Sequence, residues 1–177
     1  MKRIFGTASL ITSLVLFGIG GYRIWERTNP TRISLIPHMI PSRIGGQPDT
    51  LVIPTAHITL PIYPAYIRGT RWDQTTAGVS YLVQSPLPGI RGNSVIYGHN
   101  WPNLLGPLHL VKPGHKLFVR YGSKTIGFTV DYVSTVQASD ISVIAPTQDA
   151  RITIYTCTGF LDQGRLVVTA LRDNPIL

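Results

Sequence analysis

The sequence predicts an all-β domain, closed or nearly closed into a barrel of seven or eight short strands with one or two short helices. Three observations support that expectation. Runs of β-branched and aromatic residues recur at close spacing after Leu51 and are bounded by turn formers. Glycine (17) and proline (14) are plentiful, as many tight turns between short strands require. Helical periodicity is weak outside the N-terminal apolar stretch. With 177 residues, 44% hydrophobic and 14% charged, the chain has room for one membrane or targeting segment plus one cored domain, and it is too apolar to be disordered throughout.

Taken in order, the first element is the uncharged stretch from Ile4 to Tyr22, set between Lys2-Arg3 and Arg23 and long enough to cross a bilayer. It reads as a signal anchor within residues 1–27, with a short cytoplasmic tail. Gly18 and Gly20 also supply the small residues of a cleaved secretory signal, and either reading exports the rest of the chain. Residues 28–50 carry Pro30, Pro37, Pro41 and Pro48 with no apolar period, and read as an extended stalk.

The barrel domain is expected over 51–177. Its strand candidates are Leu51 to Ile53, Ile58 to Tyr63, Gly78 to Val83, Ser94 to Tyr97, Lys116 to Tyr121, Lys124 to Val136, Arg151 to Thr156 and Arg165 to Leu171. Tyr121-Gly122-Ser123-Lys124 puts glycine at the first central position of a two-residue hairpin turn, which joins two of these runs. Leu104, Leu105 and Leu108 recur at helical offsets and mark a short helix around Pro102 to Leu110.

Charge narrows the partners. The formal net charge is +8, but from Ile33 onward 11 Lys or Arg face 7 Asp, and they are scattered rather than clustered. Without a basic stripe interleaved with aromatics, nucleic acid is not an expected partner. Attraction to anionic membrane or wall polymers explains the sign. No histidine falls into ligand spacing with a carboxylate or the thiol, so no metal and no cofactor are expected.

Cys157 is the only cysteine, so an exported chain cannot use it for an internal disulfide. It ends the apolar run Arg151-Ile152-Thr153-Ile154-Tyr155-Thr156, and Arg165 opens the next strand. Pairing of those two strands would bring Arg165 back close to Cys157. Gly92-Asn93-Ser94-Val95-Ile96-Tyr97-Gly98-His99 is a turn and a buried strand, with Gly98 allowing a bend and His99 delivered to the strand end. Attack on an amide by a thiolate needs a stabiliser for the oxyanion and an acid for the leaving amine. Arg165 and His99 are of the types that fill those roles.

Thr153-Ile154-Tyr155-Thr156-Cys157 resembles the Thr-Leu-x-Thr-Cys motif of sortases, the membrane-anchored cysteine transpeptidases of bacteria, with Ile in place of Leu. Arg165-Leu166-Val167-Val168 is similar to the arginine-initiated final strand of that family. Gly92-Asn93 to Gly98-His99 resembles its Gly-Asn…Gly-His segment, and Leu108, Leu110 and Gly114 resemble the following Leu…Gly stretch. The likeness spans about Ile53 to Leu171 in the order His, Cys, Arg. His115 departs from it, standing where many relatives carry an acid.

The resemblance implies an eight-stranded barrel that recognises a C-terminal Leu-Pro-x-Thr-Gly-like (LPxTG-like) sorting signal on secreted proteins. It makes Cys157 the nucleophile, Arg165 the oxyanion holder and His99 the acid and then base, with Thr156 shaping the substrate groove. The acyl acceptor would be an amine of a peptidoglycan precursor or a pilin, and the enzyme would sit in the bacterial cell membrane as a single-pass protein with its catalytic domain outside. The Ala138 to Ala150 loop has only Asp140 and Asp149, unlike the acid-rich loops of calcium-dependent relatives, so no calcium requirement is expected. Arg71-Trp72-Asp73 has the composition of the lid of pilin-building members but the wrong order, which favours wall anchoring or a specialised substrate. The rival L,D-transpeptidases expect Ser-His-Gly-Cys, which this chain lacks. The non-enzymatic alternative is a membrane-tethered β-barrel wall-binding or adhesion module with an inert cysteine.

Overall fold

The computed structural model describes residues 13–22, 46–68 and 71–173, in two units, Met1–Pro37 and His38–Leu177. In the first, residues 13–22 form a helix with Leu14, Leu16 and Phe17 exposed. Among the described residues no helix is long and apolar enough to cross a membrane. The rest of the expected anchor, and the stalk up to residue 45, lie outside the described residues.

The described residues of the second unit form ten strands: β1 (Thr50–Ile53), β2 (Ile58–Ala65), β3 (Ile67–Arg68), β4 (Arg71–Trp72), β5 (Val79–Leu82), β6 (Gly92–Gly98), β7 (Lys116–Tyr121), β8 (Lys124–Gln137), β9 (Ala150–Thr158) and β10 (Gly164–Arg172). Eight of them close a barrel in the order β1-β2-β5-β6-β9-β10-β8-β7, while β3 and β4 pair with each other outside it. The fold is thus the expected eight-stranded barrel, and each of the eight strand candidates coincides with one of its staves. Among the described residues the barrel sheet has no free edge, because β1 pairs with both β2 and β7.

Two neighbouring pairs, β2–β5 and β6–β9, run parallel. Strands in parallel pairs are covered on both faces, and β6 is buried along nearly its whole length. Its alternate residues belong to different cores. Ile96 and, on β9, Ile154 join the barrel interior with Leu51, Leu117 and Phe128. Val95 and Tyr97 point to the other side, where they form a second apolar cluster with Ala65 and Leu82, against which Trp72, Ile144 and Tyr155 pack.

The hairpin at Tyr121–Lys124 forms as read, with Tyr121 opposite Lys124 and Gly122 at φ +59°. Two local expectations are corrected. The helix around Pro102 to Leu110 is only a 3₁₀ segment, Gly106–Leu110. Pro107 brings no backbone N–H, and the segment closes through three-residue bonds such as Leu108 N–H to Leu105 C=O, so the leucines that suggested a helix are buried by tight turns instead. Gly98 does not supply a bend through unusual dihedrals, for its φ is not left-handed. A β-carbon there would press on Leu105 Cδ1 at 3.3 Å and Val79 Cγ1 at 3.4 Å, so close packing is what favours glycine. Among the described residues of the barrel unit the remaining helical segments are three further 3₁₀ turns, Pro54–Ala56, Ser142–Ile144 and Phe160–Asp162.

Candidate active site

Register brings Cys157 and Arg165 together at one end of the barrel wall, and His99 follows the end of a neighbouring strand. β9 and β10 are antiparallel with Cys157 directly opposite Arg165, and cross-strand partners present their side chains on the same face. β6 and β9 are parallel, with Tyr97 beside Tyr155 and Gly98 beside Thr156. His99 follows directly after the last paired residue of β6, Gly98, and is not among the residues that line the cavity with Cys157. Since successive side chains alternate along a strand, Tyr155 and Cys157 share a face, the one on which Tyr97 stacks against Tyr155. That face is the outer one, covered in part by chain segments rather than by the barrel core.

Cys157 is half-buried. It and Arg165 line a cavity of about 230 Å³ whose walls are Trp72 on one side and Ile141, Val143 and Ile144 on the other. Arg165 is held by its own loop: Nη1 donates to the carbonyls of Asp162 at 2.8 Å and Gly164 at 2.9 Å. These bonds use one nitrogen of the guanidinium, which carries five N–H donors in all. Leu161 and Asp162 both take left-handed backbone conformations (φ +53° and +60°), which lets this short loop turn the chain from Cys157 back to Arg165.

His99 stacks on Trp101, with ring centroids 4.6 Å apart and planes at 13°. Its Nε2 is buried and has no hydrogen-bond partner among the described residues. Burial pushes the imidazole pKa below its ordinary value, and the Asp162 carboxylate pulls partly the other way. Thr156 lines the cavity, but its hydroxyl donates to Gly98 C=O at 2.8 Å. It therefore also ties the strand that carries the cysteine to the strand that delivers the histidine.

An aromatic floor, not anticipated from the sequence, continues the cavity away from the thiol. Tyr97 and Tyr155 stack at 5.5 Å and 14°, and Trp72 meets Tyr97 edge-on at 5.3 Å. The Tyr97 hydroxyl donates to Asp73 C=O at 2.5 Å and so pins the Trp72 side of the groove. Burial raises the Tyr97 and Tyr155 phenols far enough that both remain protonated donors. The signal was present in the spacing, because Tyr97 and Tyr155 each stand two residues before a candidate site residue. Trp72 could not be assigned that way, since β3 and β4 lack a pattern of their own.

Comparison with known proteins follows the same lines. A sortase-domain family model matches residues 51–173. Sortase A of Listeria monocytogenes is 29% identical over 111 residues, covering 61% of this chain and 48% of that protein, so the chain spans about half the length of this curated relative. Among solved structures, Listeria monocytogenes sortase A superposes with a TM-score of 0.61 at 26% identity, covering 73% of this chain and 90% of the other. Sortase A from Corynebacterium diphtheriae gives a TM-score of 0.62 at 28% identity, over 73% and 62%.

Proposed function

Because this chain belongs to the sortase family, its family domain occupying residues 51–173, we propose that it is a cell-wall sorting transpeptidase acting through Cys157, His99 and Arg165. The observation that supports this reading is Cys157 standing directly opposite Arg165 across β9 and β10, with β6 beside β9 ending at Gly98, one residue before His99.

The Cys157 thiolate attacks the Thr–Gly carbonyl carbon of a Leu-Pro-x-Thr-Gly-like signal. Negative charge builds on the carbonyl oxygen, where Arg165 offers its remaining N–H donors in a partly water-excluded groove. The C–N bond then breaks and the imidazolium of His99 gives its proton to the departing glycine amine. A thioacyl intermediate remains on Cys157. An incoming amine attacks it, His99 takes the proton, the C–S bond breaks and the thiolate is restored. The Nε2 of His99 is engaged by no hydrogen-bond partner among the described residues, which suits a group that exchanges a proton with reactants. The secreted proteins bearing the signal, and a peptidoglycan precursor or pilin as amine donor, are the partners of this reaction. The anchor over residues 1–27 would hold the domain at the outer face of the bacterial membrane.

The test is incubation of the chain with Leu-Pro-x-Thr-Gly-like peptides and several amines, read by mass spectrometry. A thioacyl adduct on Cys157 and an amine-capped product ending at Thr are expected, both abolished in Cys157→Ala. Arg165→Ala should lose roughly 10²–10³ in kcat, the size of a lost oxyanion donor. A thiol that takes no acyl group from any such peptide overturns the reading.

A further inference from the structure

The wall of the groove facing Trp72 is the segment between β8 and β9, and its attachments are uneven. Its start is tied by Ala138 N–H to Gln163 C=O at 3.0 Å, and its end by Gly92 N–H to Asp149 C=O at 2.7 Å and Arg91 Nε to Gln148 C=O at 2.8 Å. The residues that line the cavity, Ile141, Val143 and Ile144, lie in the middle, and Ile141 is largely exposed. Ile144 packs on the apolar cluster around Tyr97, and the side chain of Asn93 supplies hydrogen bonds from the barrel to that middle.

Asn93 sits on the outer face of β6, four residues before Tyr97, and is 3% exposed. Its Nδ2 donates to Val143 C=O and to Ala145 C=O, each at 3.1 Å, and its Oδ1 accepts from Thr153 Oγ1 at 2.7 Å. Both amide hydrogens face carbonyls, which can only accept, so the network itself fixes which atom is nitrogen. Both ends of the amide are engaged, and its two donors fall on either side of Ile144, a residue that lines the groove.

We propose that Asn93 is a positioning residue that sets the width of the substrate groove by latching the 142–145 turn onto the barrel wall. This rests on the transpeptidase reading of the same groove. Asn93 lies under the wall and acts through Val143, Ile144 and Ala145. Its counterpart is Tyr97, which pins the opposite wall through Asp73. One strand thereby holds both sides of the groove and delivers His99 at its end.

The test compares wild type with Asn93→Asp, which keeps the shape and the Thr153 bond but turns an acceptor oxygen toward two carbonyl oxygens. At neutral pH the KM for a Leu-Pro-x-Thr-Gly-like peptide should rise about tenfold or more while kcat changes less than about threefold, as expected for a lost buried amide contact. Alkylation of Cys157 by iodoacetamide should stay within about twofold of wild type, since the catalytic end is untouched. As pH is lowered and the new carboxyl takes a proton, one donor returns, and the KM ratio of variant to wild type should fall. Should Asn93→Asp fail to fold, Asn93→Ser, with one shorter donor for two carbonyls, is the second variant, expected to shift KM in the same direction.

Hydrogen exchange across 138–149 supplies a readout that needs no substrate. It should quicken in both variants. An unchanged KM in a folded variant overturns the proposal, as does a loss of kcat and alkylation in parallel with KM. If the wild type processes no such peptide, the transpeptidase reading fails on its own. Exchange then decides the latch, and unchanged exchange overturns it.

Discussion

At the scale of single residues, the site depends on groups whose state is set by neighbours. His99 titrates below its ordinary range because it is buried, and Asp162 offsets part of that shift. The proposed first step needs the protonated imidazole, so kcat/KM should decline as pH rises through the His99 pKa. Removing the Asp162 charge lowers that pKa further. Asp162→Asn, which tolerates the left-handed backbone at this position, should therefore move the decline to lower pH. At a fixed alkaline pH it should cost about two- to threefold, the size of a partly screened charge pair. The pH profile of kcat/KM measures this, and an unmoved profile would remove Asp162 from the acid–base machinery. Thr156 was read as a groove residue on resemblance alone. It does line the groove, while its hydroxyl bonds Gly98 C=O and so holds two strands together.

Among the elements, the β7–β8 hairpin was legible from sequence down to its paired residues, because turn chemistry is local. The Gly122 N–H is also bonded by the Asp49 carboxylate, which ties the turn to the chain entering β1. Gly122 has open space around its α-carbon and φ +59°, so Gly122→Ala should cost only the backbone strain, about 1 kcal/mol. Gly78 is glycine for the opposite reason, since a β-carbon there would lie 2.2 Å from the Pro61 carbonyl oxygen. Gly78→Ala should cost roughly 2 kcal/mol or more and loosen the β2–β5 pairing. Urea unfolding of the two variants should reproduce that order, and equal losses would contradict it. The pieces that sequence missed, β3, β4 and the 142–144 turn, are short and take their conformation from what they cover. A run of two or three residues has no period to read.

For the whole molecule, several ionisable groups pull the same way. Asp149 is held at about 2, chiefly by its hydrogen bonds from Arg151. Burial pushes Asp173 up, but the bonds and charge of Lys116 with the Thr129 bond outweigh it, so its pKa ends lowered. His99 is lowered by burial. In each case the unfolded chain binds a proton that the folded chain binds less readily, so stability falls as pH falls. The histidine contribution is lost first, from the ordinary imidazole range downward, and the carboxylate contributions follow below the ordinary carboxylate range. Thermal unfolding from pH 7.5 to 3 should show Tm decreasing on acidification in those two stages, and His99→Gln should remove the first. A Tm that rises on acidification would refute the assignment.

Barrel class, strand positions and the tight hairpin were readable from one dimension, as was the choice of Cys157, His99 and Arg165 as candidates, because period, turn residues and rare chemical groups are properties of neighbouring positions along the chain. Tertiary pairing alone decided that β6 and β9 run parallel and that Arg165 stands opposite Cys157. It also set the groove on the outer face, lined by Trp72 and by residues of the 141–144 segment, and brought Asn93 into hydrogen bonds with Val143 and Ala145. The reason is physical: a residue's partner across a sheet lies far away in sequence, and which face is covered depends on loops whose path is fixed only when the barrel closes beneath them.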